Sequence, residues 1–181
     1  EGALNEKSSI LIRMRELAVQ SSNGTLTTDD QDTLQEEFSS LQSEVTRIAN
    51  STSFNGIDLL KTANNAITIQ VGTGTTAGTD TIDVTFGSAT ASDLAIDSLD
   101  IGSGGSASNA ITSLDTAINS VATLRGQLGA AQNRLQSASN NISVQYENLS
   151  AAESRIRDVD VAKEAANLTK NQILQQAALS I

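Results

Sequence analysis

The sequence predicts a mainly α protein, an elongated coiled-coil-like bundle of two N-terminal helices and one long C-terminal helix with a small β-hairpin region. Three observations carry that expectation. Leu114, Val121, Leu128, Leu135, Ile142, Leu149 and Ile156 recur every seven residues, followed three residues on by Ala117, Leu124, Ala131, Ala138, Gln145, Ala152 and Val159. One helix face is therefore apolar except at Gln145, and a sustained seven-residue repeat keeps its seam against a partner when helices wind slightly around each other. Proline is absent from all 181 residues, which removes the strongest helix breaker. There is no Trp and one Tyr, with Phe only at 38, 54 and 86, so aliphatic seams replace the large aromatics that usually fill a globular core.

From Glu1 to Ser22, Leu4, Leu11 and Ala18 stand seven apart with Met14 and Leu17 beside them, the pattern of an amphipathic helix. Asn23-Gly24 supplies residues tolerant of left-handed backbone, and residues 25–30 offer capping oxygens and early negative charge for a second helix. Leu34, Phe38, Leu41, Val45 and Ile48 continue the alternation of four and three, so three seams can share one core. Residues 50–56 are rich in Ser, Thr, Asn and Gly and end that helix.

The period then changes to two. Ile67, Ile69 and Val71, and later Ile82, Val84 and Phe86, alternate with polar residues, reading as two half-buried strands of a hairpin. The Gly- and Thr-rich connection over 72–80 is longer than the usual hairpin loop of about two to five residues. Residues 94–101 are expected to add an extended segment, and the Gly-Ser run at 102–106 to break it. A long helix over about 107–159 would reach roughly 80 Å, with Gly126 and Gly129 allowing close helix approach. After the charges at 158–163, a last amphipathic helix holds Leu168, Ile173, Leu174, Ala177, Ala178 and Ile181. The expected divisions are an N-terminal helical half (1–60), a short variable hairpin and loop region (61–106), the long helix (107–160) and a C-terminal segment (161–181).

Composition narrows the chemistry. The net charge is −10, with no His and no Cys. Such a chain repels phosphate backbones and anionic bilayers, and it lacks thiolate, imidazole and the usual zinc ligands. Neither nucleic-acid binding nor a cofactor is expected. No apolar run approaches the roughly 20 residues that span a bilayer, so a soluble chain is expected. Glu1 falls inside a helical pattern with no initiator Met, and the apolar pattern still runs at Ile181; a fragment of a longer protein is the expectation.

Five motifs then carry a specific resemblance. Ile12-Arg13-Met14-Arg15-Glu16-Leu17-Ala18-Val19-Gln20-Ser21-Ser22-Asn23-Gly24-Thr25 and Thr52-Ser53-Phe54-Asn55-Gly56 resemble the N-terminal region of bacterial flagellins. Leu124-Arg125-Gly126-Gln127-Leu128-Gly129-Ala130-Ala131-Gln132-Asn133-Arg134-Leu135, Ser154-Arg155-Ile156-Arg157-Asp158-Val159-Asp160 and Gln172-Ile173-Leu174-Gln175-Gln176-Ala177 resemble the C-terminal region. The resemblance implies a structural protein and not an enzyme: the secreted, self-assembling subunit of an extracellular flagellar filament, whose two ends pair as a helical rod while the middle projects outward. It also implies that the extreme terminal helices are missing here, so that this stretch alone is not expected to polymerise.

Three partners follow from the same resemblance. The first is other flagellin subunits. The second is Toll-like receptor 5, whose contact positions in the family fall on Arg13, Leu17 and Glu37; Arg13 and Leu17 stand one helical turn apart, and an arginine beside an apolar anchor suits an interface. The third is a flagellin export chaperone holding the C-terminal segment at Leu168, Ile173, Leu174, Ala177 and Ile181, residues that would otherwise pack in the polymer core. A flagellin-like adhesin or polysaccharide-binding protein and a hook-filament junction protein are the alternatives. The aromatic-poor middle argues against sugar capture, and junction proteins normally differ in the motifs above. Asp29-Asp30 and Asp158 with Asp160 read as solvated helix ends, because no nucleophile accompanies them. Gly72-Thr73-Gly74 lacks the full phosphate-cradling motif, and Asp80 with Asp83 lacks EF-hand spacing.

Overall fold

The computed structural model describes residues 1–63, 65–158 and 161–179. They form two compact units, 1–135 and 136–181, taken separately below.

In the first unit, α1 (Gly2–Ser21) buries Leu4, Leu11, Met14, Leu17 and Ala18 on one face. It ends without the left-handed residue expected at Asn23-Gly24. Positive φ occurs instead at Asn55, Gly56, Gly78 and Ala95, and α1 closes on a right-handed Ser22 whose amide reaches the Ala18 carbonyl at 3.0 Å. Helix α2 (Thr28–Ser51) opens with a capping box: the Thr27 hydroxyl accepts the Asp30 amide while the Asp30 carboxylate accepts the Thr27 amide. Two orphan donors of the first turn are thereby satisfied. Phe38, Val45, Ile48 and Ala49 are its buried residues, and they meet the apolar face of α1 in one core cluster.

Residues 50–56 do more than end α2. Strands β1 (Ser53–Phe54) and β2 (Ile57–Asp58) pair across Asn55 and Gly56, which take φ of 50° and 77°. Positive φ at both central residues is what a type I′ hairpin turn requires. Strands β3 (Asn65–Gln70) and β4 (Thr81–Phe86) form the expected antiparallel hairpin, in register from Asn65 opposite Phe86 to Gln70 opposite Thr81. Its loop closes where the Val71 and Gly72 amides both donate to the Asp80 carbonyl, at 2.7 and 3.0 Å.

Residues 94–101 are not the expected extended segment but part of an irregular stretch over 88–106. The stretch is a series of turns laid into the helical core as a strap, burying Ala89, Ala91, Leu94, Ile96 and Ile101. Its apolar residues follow neither a helical nor a strand period, and its backbone is satisfied by its own turns, as where the Ile96 amide donates to the Ala91 carbonyl, together with side chains of α2. Gln42 donates to the carbonyls of Ile96 (2.6 Å) and Leu99 (3.0 Å). The Ile101 amide donates to Gln35 (2.8 Å), the Ser103 amide to Asp32 (2.9 Å) and the Ala91 amide to Thr46 (3.3 Å). At the end of the strap Gly105 passes so near the Asp100 carbonyl that a Cβ would lie 2.3 Å from it. Only glycine fits there.

Helix α3 (Ala107–Arg157) crosses the division between the units. In the first unit Ala110, Leu114, Ala117 and Val121 are buried against α1, α2 and the strap, while Leu128 and Leu135 are half-buried. Each fully buried Leu is worth roughly 1.5–3 kcal/mol. In the second unit the later rungs lie open, with Ile142 43%, Leu149 68% and Ile156 86% exposed. The ladder is thus a core seam for only part of its length; Val159 lies outside the described residues. Gly126 and Gly129 allow no close approach either, since a Cβ on each would meet nothing within 4 Å. Helix α4 (Val161–Leu179) completes the second unit.

Candidate interaction surfaces

Charged pairs set the register of the first unit. Arg15 meets Asp115 at 2.6 Å and Arg125 meets Glu1 at 3.0 Å, which makes α1 and α3 antiparallel. Arg13 reaches Glu37 at 2.8 Å and Glu16 at 3.3 Å, tying α1 to α2. These side chains are roughly half exposed, so each pair contributes alignment more than stability.

The three positions expected at a receptor surface divide. Arg13 and Glu37 stand together at the surface, and the hydrogen bond that Arg13 donates to Glu37 holds its guanidinium above its ordinary pKa. Leu17 is 0% exposed and belongs to the core. Four residues rotate a helix by about 40° beyond a full turn, enough at the edge of a seam to leave Arg13 in solvent and carry Leu17 inward. In this unit the Leu17 side chain packs in the core.

On α4, Leu168, Ile173 and Leu174 are exposed, and Ala177 lies on the surface as well. Ile173 and Leu174 line a shallow apolar groove with Ala166, Thr169 and Lys170. Ile181 and Asp160 lie outside the described residues.

Two features escaped the sequence. The first is an apolar groove of about 320 Å³ in the first unit, where Phe54, Ile67, Ile69, Val84 and Phe86 face Leu128, Ala131 and Leu135. Its signal was present in the alternating strands, but which helix they face is a tertiary matter. Phe54, at the β1–β2 turn, is 70% exposed. The second is Lys7, which occupies a core position of α1 at 0% exposure and donates to the Ala89 carbonyl at 2.5 Å. Burial lowers its pKa from 10.5 to about 8, and the charge of Asp93 acts in the opposite direction.

The carboxylates weighed for chemistry are engaged in local structure. Asp80 accepts the amides of Gly74 (3.2 Å) and Thr76 (3.0 Å), Asp83 accepts the Thr68 hydroxyl (2.7 Å), and Asp158 accepts the Ser154 hydroxyl (2.6 Å). Among the described residues no group of three His, Cys, Asp or Glu side chains is placed to hold a metal. No described helix is long and apolar enough to cross a membrane.

Fold and surface together define a helical module that leaves much apolar side-chain surface open along its helices. Residues 1–65 match the bacterial flagellin N-terminal helical region and residues 111–181 the bacterial flagellin C-terminal helical region. The chain is 44% identical to a flagellin of Halalkalibacterium halodurans over 98% of its own length and 65% of that protein's. It is 41% identical to the flagellar filament 30.7 kDa core protein of Treponema maltophilum over 100% of its own length and 68% of the relative's. Bacillus cereus flagellin shares the fold with a TM-score of 0.66 and 36% identity, over 83% of this chain and 86% of that one. The chain belongs to the bacterial flagellin family, a family of structural proteins, and spans about two thirds of the length of these curated relatives.

Proposed function

We propose that this chain is part of the structural subunit of a flagellar filament, secreted and packed with copies of itself outside the cell. The observation that carries the reading is the open apolar surface of the second unit, Ile142, Leu149 and Ile156 on α3 with Leu168, Ile173 and Leu174 on α4, on a chain whose two ends both match flagellin helical regions. Exposed apolar rows of that extent mark surfaces that bind something. Repeated over many subunits, weak contacts of this kind hold a polymer without any one of them being strong.

The test is to express the full-length gene product in its parent bacterium after deleting the native subunit gene. Filaments and swimming are expected, and Leu149→Asp should abolish them while the secreted monomer stays folded. Folded, secreted protein that makes no filament in the wild type would overturn the reading.

Two finer readings rest on the family resemblance. The α4 surface is a docking face for an export chaperone until the subunit polymerises, supported by the exposure of Ile173 and Leu174. The Arg13 and Glu37 pair is part of a surface recognised by Toll-like receptor 5, supported by its position in solvent on adjacent helices. Arg13→Ala should reduce receptor signalling by the monomer at unchanged folding; equal potency would remove Arg13 from the contact.

A further inference from the structure

Lys7 is the one buried charged side chain of the described core, and the flagellin reading makes no use of it. It sits where three pieces of chain join. Its ammonium nitrogen donates to the Ala89 carbonyl at 2.5 Å, and the amide of the same residue donates to the Leu60 carbonyl at 2.9 Å. Ala89 begins the buried part of the strap. Four residues on, the Asp93 carboxylate is held by the hydroxyls of Ser88 and Thr90, and its negative charge acts on Lys7.

Among the other charges of the elements that meet here, Glu44 pairs with Arg47 on α2 (2.6 Å), Asp58 with Lys61 beyond β2 (3.7 Å) and Arg15 of α1 with Asp115 of α3 (2.6 Å), and Asp93 is the charge that acts on Lys7. Lys7 is left with one carbonyl and one carboxylate already held by two hydroxyls. Removing an ammonium from water costs several kcal/mol unless pairing offsets it.

We propose that Lys7 is a proton-controlled latch holding the 88–106 strap against α1, closing more firmly as its ammonium loses a proton. The amine titrates at about 8 in the fold against 10.5 in water, chiefly because burial disfavours the charge. Between those values the unfolded or strap-open chain binds a proton that the closed fold does not, so closure strengthens as pH rises across the window. Below about pH 8 both states are charged, and the closed fold carries the cost of the buried ammonium.

The experiment is urea unfolding of the 181-residue chain from pH 7 to pH 10.5, beside Lys7→Met and Lys7→Gln. Relative to both variants, the wild-type unfolding constant is expected to fall on the order of 100-fold across the window. Lys7→Gln keeps a donor for Ala89 without titrating, so it carries the test if the methionine variant does not fold. A wild-type profile parallel to that of the variants overturns the proposal. Hydrogen exchange of the Ala89 and Ile96 amides, corrected for intrinsic rate, distinguishes a latch from general stabilisation. Protection rising with pH in the wild type alone supports it, and equal change in all three proteins overturns it.

Discussion

Arg13 and Leu17 stand four residues apart on α1, yet one lies in solvent and the other is sealed in the core. The same truncation should therefore be read by different instruments. Leu17→Ala is expected to cost about 2–5 kcal/mol through lost transfer energy and the cavity left behind, seen as a lower urea midpoint. Arg13→Ala breaks only the solvent-exposed pairs with Glu37 and Glu16 and should leave the urea midpoint nearly unchanged. Any loss of receptor signalling in Leu17→Ala should then follow the fraction of unfolded chain, whereas a loss in Arg13→Ala should appear in fully folded protein.

Helix α2 works on two faces. Phe38, Val45 and Ile48 meet the core, while Asp32, Gln35, Gln42 and Thr46, at spacings of three, seven and four, bind the backbone of the strap. Gln42 satisfies two carbonyls, so Gln42→Ala should destabilise the unit by about 1–3 kcal/mol through unmet acceptors, with amide exchange rising first in residues 94–101. Helix α3 offers the opposite case. Gly126 lies in its interior with open space around the missing side chain, so Gly126→Ala should stabilise by roughly 0.5–1 kcal/mol and raise the thermal midpoint. A fall would mean that a partner packs on that glycine.

At the scale of the whole chain, acid is expected to loosen what the strap and caps hold. Asp32 is kept below its ordinary 3.8 by the Ser103 amide, Asp93 by the Ser88 and Thr90 hydroxyls, and Asp30 by its capping contacts with Thr27. A depressed carboxylate pKa stabilises the fold above the unfolded value and ceases to do so as pH falls through the folded one. The urea midpoint should therefore hold steady near neutrality and drop as pH falls below about 4; Asp32→Asn should drop less. A midpoint that does not fall there would mean these contacts persist when the carboxylates are protonated.

Helix positions, the capped start of α2, the β3–β4 hairpin and the family were all legible in the chain, because each is written in local spacing: seven-residue recurrence, alternation by two, Thr27 three residues before Asp30, and contiguous motifs. The strap, the inward turn of Leu17, the burial of Lys7 and the open rungs from Ile142 onward needed the folded chain. An apolar repeat states that a helix has a face to cover but not what covers it, and an irregular segment such as 88–106 has no period to announce that it is core. Burial is settled by which surfaces find partners in space, and in the second unit the rungs remain open to a partner of their own.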